Sequence, residues 1–169
     1  MGIMNKSVQK GMGLTEVMVA LLLLSIAVLG FIALQVRAST AGNESFSRTQ
    51  SMAIAQDLAE RIRLNIGQIS VYTTASNWSG AVGSTTACNT AACTPAALAQ
   101  FDIANVRNSA ASLLPSGQIS MRQCQGSLVN CIYVSWDETT PTVGSGANDC
   151  VLTSGSYRSG ATCVMMEAY

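Results

Sequence analysis

The feature that most constrains this chain is a long apolar run with an acid at its front. From Val17 to Leu34 eighteen consecutive residues carry no charge, and only Ser25 and Gly30 are not clearly apolar. At a 1.5 Å rise per residue, a helix of that length covers about 27 Å, close to the hydrocarbon thickness of a bilayer. Glu16 stands directly before the run, and a Lys10-Gly11 pair lies a little further upstream. A plain anchor has no use for a carboxylate at the lipid boundary, where an unpaired charge is costly. The segment therefore has to do something with the acid besides crossing a membrane.

The remainder is small and poor in aromatics. With 169 residues there is room for one ordinary domain beyond the anchor, and aromatics at 5% leave it a thin core. Lys6 and Lys10 are the only lysines; after Met12, seven arginines face nine acidic residues, a net charge of about −2. That balance excludes the broad cationic surface that holds nucleic acid by counterion release. Histidine is absent, which removes the usual general base, the usual zinc ligand and every Ser-His-Asp arrangement. No phosphate-binding glycine loop or nucleophile elbow occurs. The expectation is a protein that is not an enzyme and needs no cofactor.

Six cysteines, Cys88, Cys93, Cys124, Cys131, Cys150 and Cys163, all lie in the C-terminal half. An even number confined to the part beyond the anchor suggests three disulfides in an oxidising compartment. Six cysteines permit fifteen pairings. Sequence neighbours close the shortest loops, Cys88–Cys93, Cys124–Cys131 and Cys150–Cys163, each contributing roughly 2–3 kcal/mol in the loop-entropy picture. A thin core needs such help. The competing reading is a zinc site, but intervals of four, six and twelve residues between neighbours do not form a paired C-x2-C frame.

The N-terminus carries the sharper signal. Residues 1–11 hold two positive charges and no acid, so they are expected to stay cytoplasmic. Lys10-Gly11, then Met12, with Glu16 fifth counting from Met12 and the apolar run behind it, resembles the class III signal of type IV prepilins and pseudopilins. The resemblance implies that a prepilin peptidase cuts between Gly11 and Met12 and that the new amine on Met12 is methylated. It also implies that Glu16 meets the N-terminal amine of a neighbouring subunit during assembly. A carboxylate at the membrane edge is tolerable when paired, and an ammonium is its natural partner. Met12 and Gly13 stand where Phe and Thr are common in the family.

The periodicity continues beyond the run. Ile54, Ala55, Leu58, Ala59, Ile62 and Ile66 recur at three- and four-residue steps, and Asp57 and Arg61 form an i,i+4 pair on the opposite side. One helix from about Leu14 to Ile66 is expected, with Gly67 as its stop. The stretches EVMVALLLLSIAVLGFIALQ and RTQSMAIAQDLAERIRLN are more similar to PilV-like minor pilins than to major pilins or secretion pseudopilins. That resemblance implies a single pass through the bacterial inner membrane with the head in the periplasm, then incorporation into a type IV pilus. Its implied partners are other minor pilins, the major pilin and a tip adhesin, in support of twitching, adhesion or DNA uptake. A type II secretion pseudopilin and a membrane-anchored periplasmic binding module are the alternatives.

In the head, Ser70 to Ala92 reads as a Ser/Thr/Gly/Ala loop. Thr94-Pro95 reads as a helix start, with a capping hydroxyl and proline at the first helical position. That helix should stop before Pro115, with Leu98, Phe101, Ile103, Val106 and Leu113 as a loose apolar stripe. Gln118 to Arg122 and Cys131 to Trp136 are strand candidates joined through Gly126, Thr140 to Ser159 a loop, and Thr162 to Ala168 a final strand. Ile132, Val134 and Trp136 fall on one face of their strand, and Cys131, Tyr133 and Ser135 on the other. Asp137 and Glu138 point to opposite sides if they sit on a strand; with Asn148 and Asp149 they offer oxygen ligands of the kind calcium takes, although solvated loop ends are the simpler reading.

The expected fold is α+β in the type IV pilin manner. A long N-terminal helix, transmembrane in its first half, packs on a small antiparallel sheet, with a short extra helix and disulfide-clasped loops. The expected divisions are a leader (1–11), an assembly helix (12–36), its amphipathic continuation (37–67) and the head (68–169).

Overall fold

The structure is a computed structural model and describes residues 11–81 and 87–168; Lys6 and Lys10 of the expected leader, and 82–86 of the expected loop, lie outside the described residues. Helix α1 spans Leu14–Leu64. The chain divides into two compact units between Asn43 and Glu44, and each is described by itself.

In the first unit α1 is exposed along its whole length. It is long and apolar enough to cross a membrane. Two of its hydroxyls bond back to the backbone: Ser25 Oγ donates to Leu21 O at 2.7 Å and Thr40 Oγ1 to Val36 O at 2.9 Å. Bonds to the preceding turn pair these two hydroxyl hydrogens, as an apolar solvent demands.

In the second unit α1 buries Ser47, Ser51, Ile54, Ala55, Leu58 and Ile62, a stripe at three- and four-residue steps. Ile66, expected to extend that stripe, is instead 49% exposed. The helix stops at Leu64, and Gly67 is not its stop. Asn65 leaves the helical region, its side-chain amide donates to Pro95 O at 2.8 Å, and Gly67 lies within the following 3-10 turn, Ile66–Gln68, without a left-handed φ. A tertiary hydrogen bond ends this helix where a local C-cap was expected.

The expected loop after Gly67 holds structure as well. Helix α2 (Ile69–Thr73) and a 3-10 turn (Ala75–Trp78) bury Tyr72 and Trp78, and the Trp78 indole donates to Tyr72 O at 2.6 Å. Helix α3 runs Pro95–Leu113, with Thr94 Oγ1 accepting from Ala97 N and Leu114 already extended before Pro115, as the local signals predict. Its buried stripe keeps Ile103 and Val106 of the expected set but not its ends. Ala99, Ile103, Val106 and Ala110 face the core, whereas Leu98 and Leu113 are exposed. Small residues let α3 approach closely, so Ala99 and Ala110, not named in the expected stripe, join the core in place of Leu98 and Leu113.

Strands β1 (Gln118–Gln123), β2 (Asn130–Ser135) and β5 (Cys163–Glu167) form an antiparallel sheet in the order β1-β2-β5. Ile119 pairs with Val134 and Met121 with Ile132, while Val134 pairs with Val164, so one face is continuously apolar. That face shares a core with α1, α2 and α3. The opposite face, bearing Cys131, Tyr133 and Cys163, is also buried, under the segment that follows β2. This segment is not the plain loop expected. It contains a short parallel pair, β3 (Thr140–Val143) and β4 (Asp149–Val151), held to β1 by Ser120 Oγ donating to Pro141 O at 2.7 Å. Asp137 is not on a strand; it adopts φ +55° in the turn after β2, and its N–H donates to Pro115 O at 2.7 Å.

Three disulfides link the head: Cys88–Cys93 ahead of α3, Cys124–Cys131 across the β1–β2 turn, and Cys150–Cys163 between β4 and β5.

Candidate assembly site

Gly11, Met12 and Gly13 precede α1 without helical structure, and all three are exposed. Gly13 O accepts the first helical bonds, from Glu16 N at 3.0 Å and Val17 N at 3.3 Å. Glu16 therefore lies in the first turn, where the unpaired N–H groups of the helix favour a negative charge. Among the described residues its carboxylate makes no hydrogen bond or ion pair. Beside it begins a surface of exposed Val17, Met18, Val19, Leu21 and Leu22, with nothing from the same unit covering them. The arrangement is a bare apolar rod with one acid at its tip and a small, accessible peptide just outside it.

The two ends of this arrangement answer to two known patterns. A model for the prokaryotic N-terminal methylation motif matches residues 6–32, which include Gly11, Met12 and Glu16. A second, described as type IV pilin Tt1218, matches residues 33–104, the rest of α1 and on into α3. The chain belongs to the type IV pilins. No curated protein and no solved structure matches it. Type IV pilins are structural proteins, and the α+β architecture of this pilin, with its long apolar N-terminal helix, is theirs.

The head of the pilin holds polar sites that sequence reasoning missed. Arg61, read as the partner of Asp57, also reaches Asp102: Nη1 lies 2.9 Å from Asp102 Oδ1, and Nε lies 3.0 Å from Asp57 Oδ2. Asp102 is buried at 4% exposure, and its other oxygen accepts from Tyr72 Oη at 2.8 Å. Burial opposes the charge on Arg61, yet its bonds to Asp102 and Asp57 outweigh that and raise its pKa. Burial, then the Asp102 carboxylate, push the Tyr72 phenol well above its ordinary value. A lone polar residue at i+3/i+4 spacing among the apolar positions of α3 was the available signal, and Asp102 occupies such a place next to Ile103 and Val106.

The oxygen ligands considered for calcium are not gathered. Asp149 accepts from Thr142 Oγ1 and, at 2.7 Å, from Gly146 N; the Thr142 bond, ahead of the opposing effect of burial, lowers its pKa. Glu138 and Asn148 line a cavity of about 140 Å³ together with the cationic Arg158. Among the described residues no group of three or more cysteine or acidic side chains is placed to hold a metal ion.

Proposed function

We propose that this pilin is a PilV-like minor subunit of a type IV pilus. In this reading, prepilin peptidase cuts between Gly11 and Met12, Met12 is N-methylated, and the rod waits in the inner membrane with its head in the periplasm. Glu16 then pairs with the N-terminal amine of a neighbouring subunit as the rod moves from lipid into the fibre. Other minor pilins, the major pilin and a tip adhesin are its partners in priming assembly.

The observation that carries this reading is Glu16 itself: an unpartnered carboxylate in the first turn of a helix whose next eighteen residues hold no charge. In hydrocarbon such a charge demands a counter-charge, and its own unit provides none among the described residues. A cation on a second subunit makes insertion next to it favourable, and only there.

Intact-mass and N-terminal analysis of the protein recovered from cells tests the processing step. A chain beginning at N-methylated Met12 is expected; an uncut N-terminus, as a simple anchored binding module would keep, or a cut near Ala38 overturns it. Deletion should abolish surface fibres or twitching, whereas loss of exoprotein release with normal motility would point to a secretion pseudopilin. Glu16→Ala should leave the protein in the membrane and absent from fibres.

A further inference from the structure

Strand β5 is an edge of the main sheet, and an open edge presents a row of unpaired backbone groups that any other strand can join. In the pairing of β5 with β2, Tyr133 stands opposite Met165. Antiparallel pairs alternate between exchanging both hydrogen bonds and exchanging none, so alternate residues of β5 turn their backbone groups away from β2. Met165 is one of these. Its N–H donates to Tyr157 Oη at 2.8 Å, and the same hydroxyl donates to Met165 O at 3.4 Å. A phenol has one hydrogen and free lone pairs, so a single Oη serves as both acceptor and donor. The hydroxyl makes the two bonds that a residue of a neighbouring strand would make.

We propose that Tyr157 is an edge guard, closing β5 against pairing with β5 of a second copy of this chain. The segment that carries the guard is tied down by its own bonds. The Tyr157 backbone bridges Val151, Arg158 N donates to Cys150 O at 3.1 Å, and the Cys150–Cys163 disulfide ties that segment to the start of β5. The ring is 50% exposed. It borders a groove of about 750 Å³ that runs between Arg48 and Met52 of α1 and residues Cys163 to Met165, so rotation of one side chain bares the Met165 backbone with space beside it.

The edge is self-complementary about the guarded residue. The residues whose backbone groups turn away from β2 are Cys163, Met165 and Glu167, symmetric around Met165, so an antiparallel β5–β5 pair centred there sets Met165 against Met165 and brings Cys163, itself 1% exposed, opposite Glu167. Arg158 lines the groove beside Cys163, and its guanidinium makes no hydrogen bond or ion pair among the described residues; its Nε is buried and unpartnered. The acid of the second copy would meet that cation. The edge thus carries the makings of an off-pathway dimer, and the Tyr157 hydroxyl occupies its central position.

The test uses the full chain in detergent micelles, with Tyr157→Phe keeping the ring and removing only the hydroxyl. Backbone hydrogen exchange of Met165 should accelerate by about tenfold or more, while Val164 and Met166, which face β2, exchange as before. The variant should also associate more than the parent by sedimentation in the same micelles. Adding Met165→Pro, which deletes the outward N–H and spares the β2 ladder, should reverse that association. Unchanged Met165 exchange overturns the proposal, as does equal acceleration along all of β5. Absence of added association, or association that Met165→Pro fails to reverse, overturns it too.

Discussion

Arg61 Nη1 lies 2.9 Å from Asp102 Oδ1, a pair drawn from α1 and α3 and closed from a third side by the Tyr72 hydroxyl on the other carboxylate oxygen. Asp102 is the one charged side chain among the buried residues described, and the other two groups bond to it. Asp102 is 4% exposed, so its charge is tolerated only because both oxygens are bonded. Arg61 sits at the edge, in contact with solvent and with Asp57.

Removing the acid strands its partners. Asp102→Ala should destabilise the protein by about 2–3 kcal/mol, at the low end for a broken buried pair because Arg61 keeps Asp57 and some water. Tyr72→Phe should cost about 1 kcal/mol, the ordinary value of one hydrogen bond. Thermal unfolding followed by circular dichroism measures both, and equal Tm values for Asp102→Ala and the parent would refute the role assigned to this pair.

The tyrosines set an alkaline limit. Tyr72 and Tyr133 are both raised above the ordinary tyrosine value of 10.0, in each case first by burial. A phenol with a raised folded pKa is protonated in the native state at pH values where the unfolded chain has lost its proton. Stability is therefore fully present below about pH 10 and falls as pH climbs beyond it. Absorbance at 295 nm should show these two phenols ionising only together with unfolding, and Tyr72→Phe should flatten the alkaline decline. Free titration of every tyrosine near pH 10 in the folded protein would contradict this.

Gly117 closes the turn from α3 to β1, where a Cβ would lie 2.0 Å from the Ala110 carbonyl oxygen. Backbone cannot yield as a side chain can, so Gly117→Ala should cost about 2–3 kcal/mol. Gly126, at φ +77° in the β1–β2 turn with open space around it, offers a contrast: Gly126→Ala pays only the left-handed conformation, about 1 kcal/mol. A larger loss at Gly126 than at Gly117, in chemical denaturation, would reverse this ranking.

The disulfides should separate under mild reductant. Cys88 and Cys93 are partly exposed and lie outside the head's buried clusters, whereas Cys124, Cys131, Cys150 and Cys163 are buried together with Tyr133 and Val151. Thiol alkylation followed by mass spectrometry should label Cys88 and Cys93 first, with a smaller fall in Tm than reduction of the buried pairs brings. Serine at both Cys150 and Cys163 should cost about 3 kcal/mol, from the thirteen-residue separation that this bond closes.

Local chemistry explains which parts of the head were legible. Thr94 and Pro95 start α3, and Pro115 stops it, because capping and φ restriction act within one turn. The alternation in β2 was readable for the same reason, although both of its faces prove to be buried. Tyr72 and Trp78 were hidden because Ser- and Thr-rich surroundings read as loop, while their burial depends on α3 and β1 brought up from far along the chain. Ala99 and Ala110 were passed over because an alanine shows no bulk until a neighbouring helix comes close.

What the sequence determined alone is the part that speaks to solvent and to its nearest neighbours: an uncharged run long enough for a bilayer, an acid before it, the methylation motif and the two ends of α3. Only the tertiary structure decided that Asn65 rather than Gly67 ends α1, that Arg61 answers to Asp102, that β3 and β4 run parallel, and that Tyr157 closes the edge of β5. Hydrophobic length and capping are set by residues within a few positions of one another. The second group are bonds between separate segments, 8 residues apart for Tyr157 and Met165 and 41 for Arg61 and Asp102, whose partners are chosen only when the core has assembled.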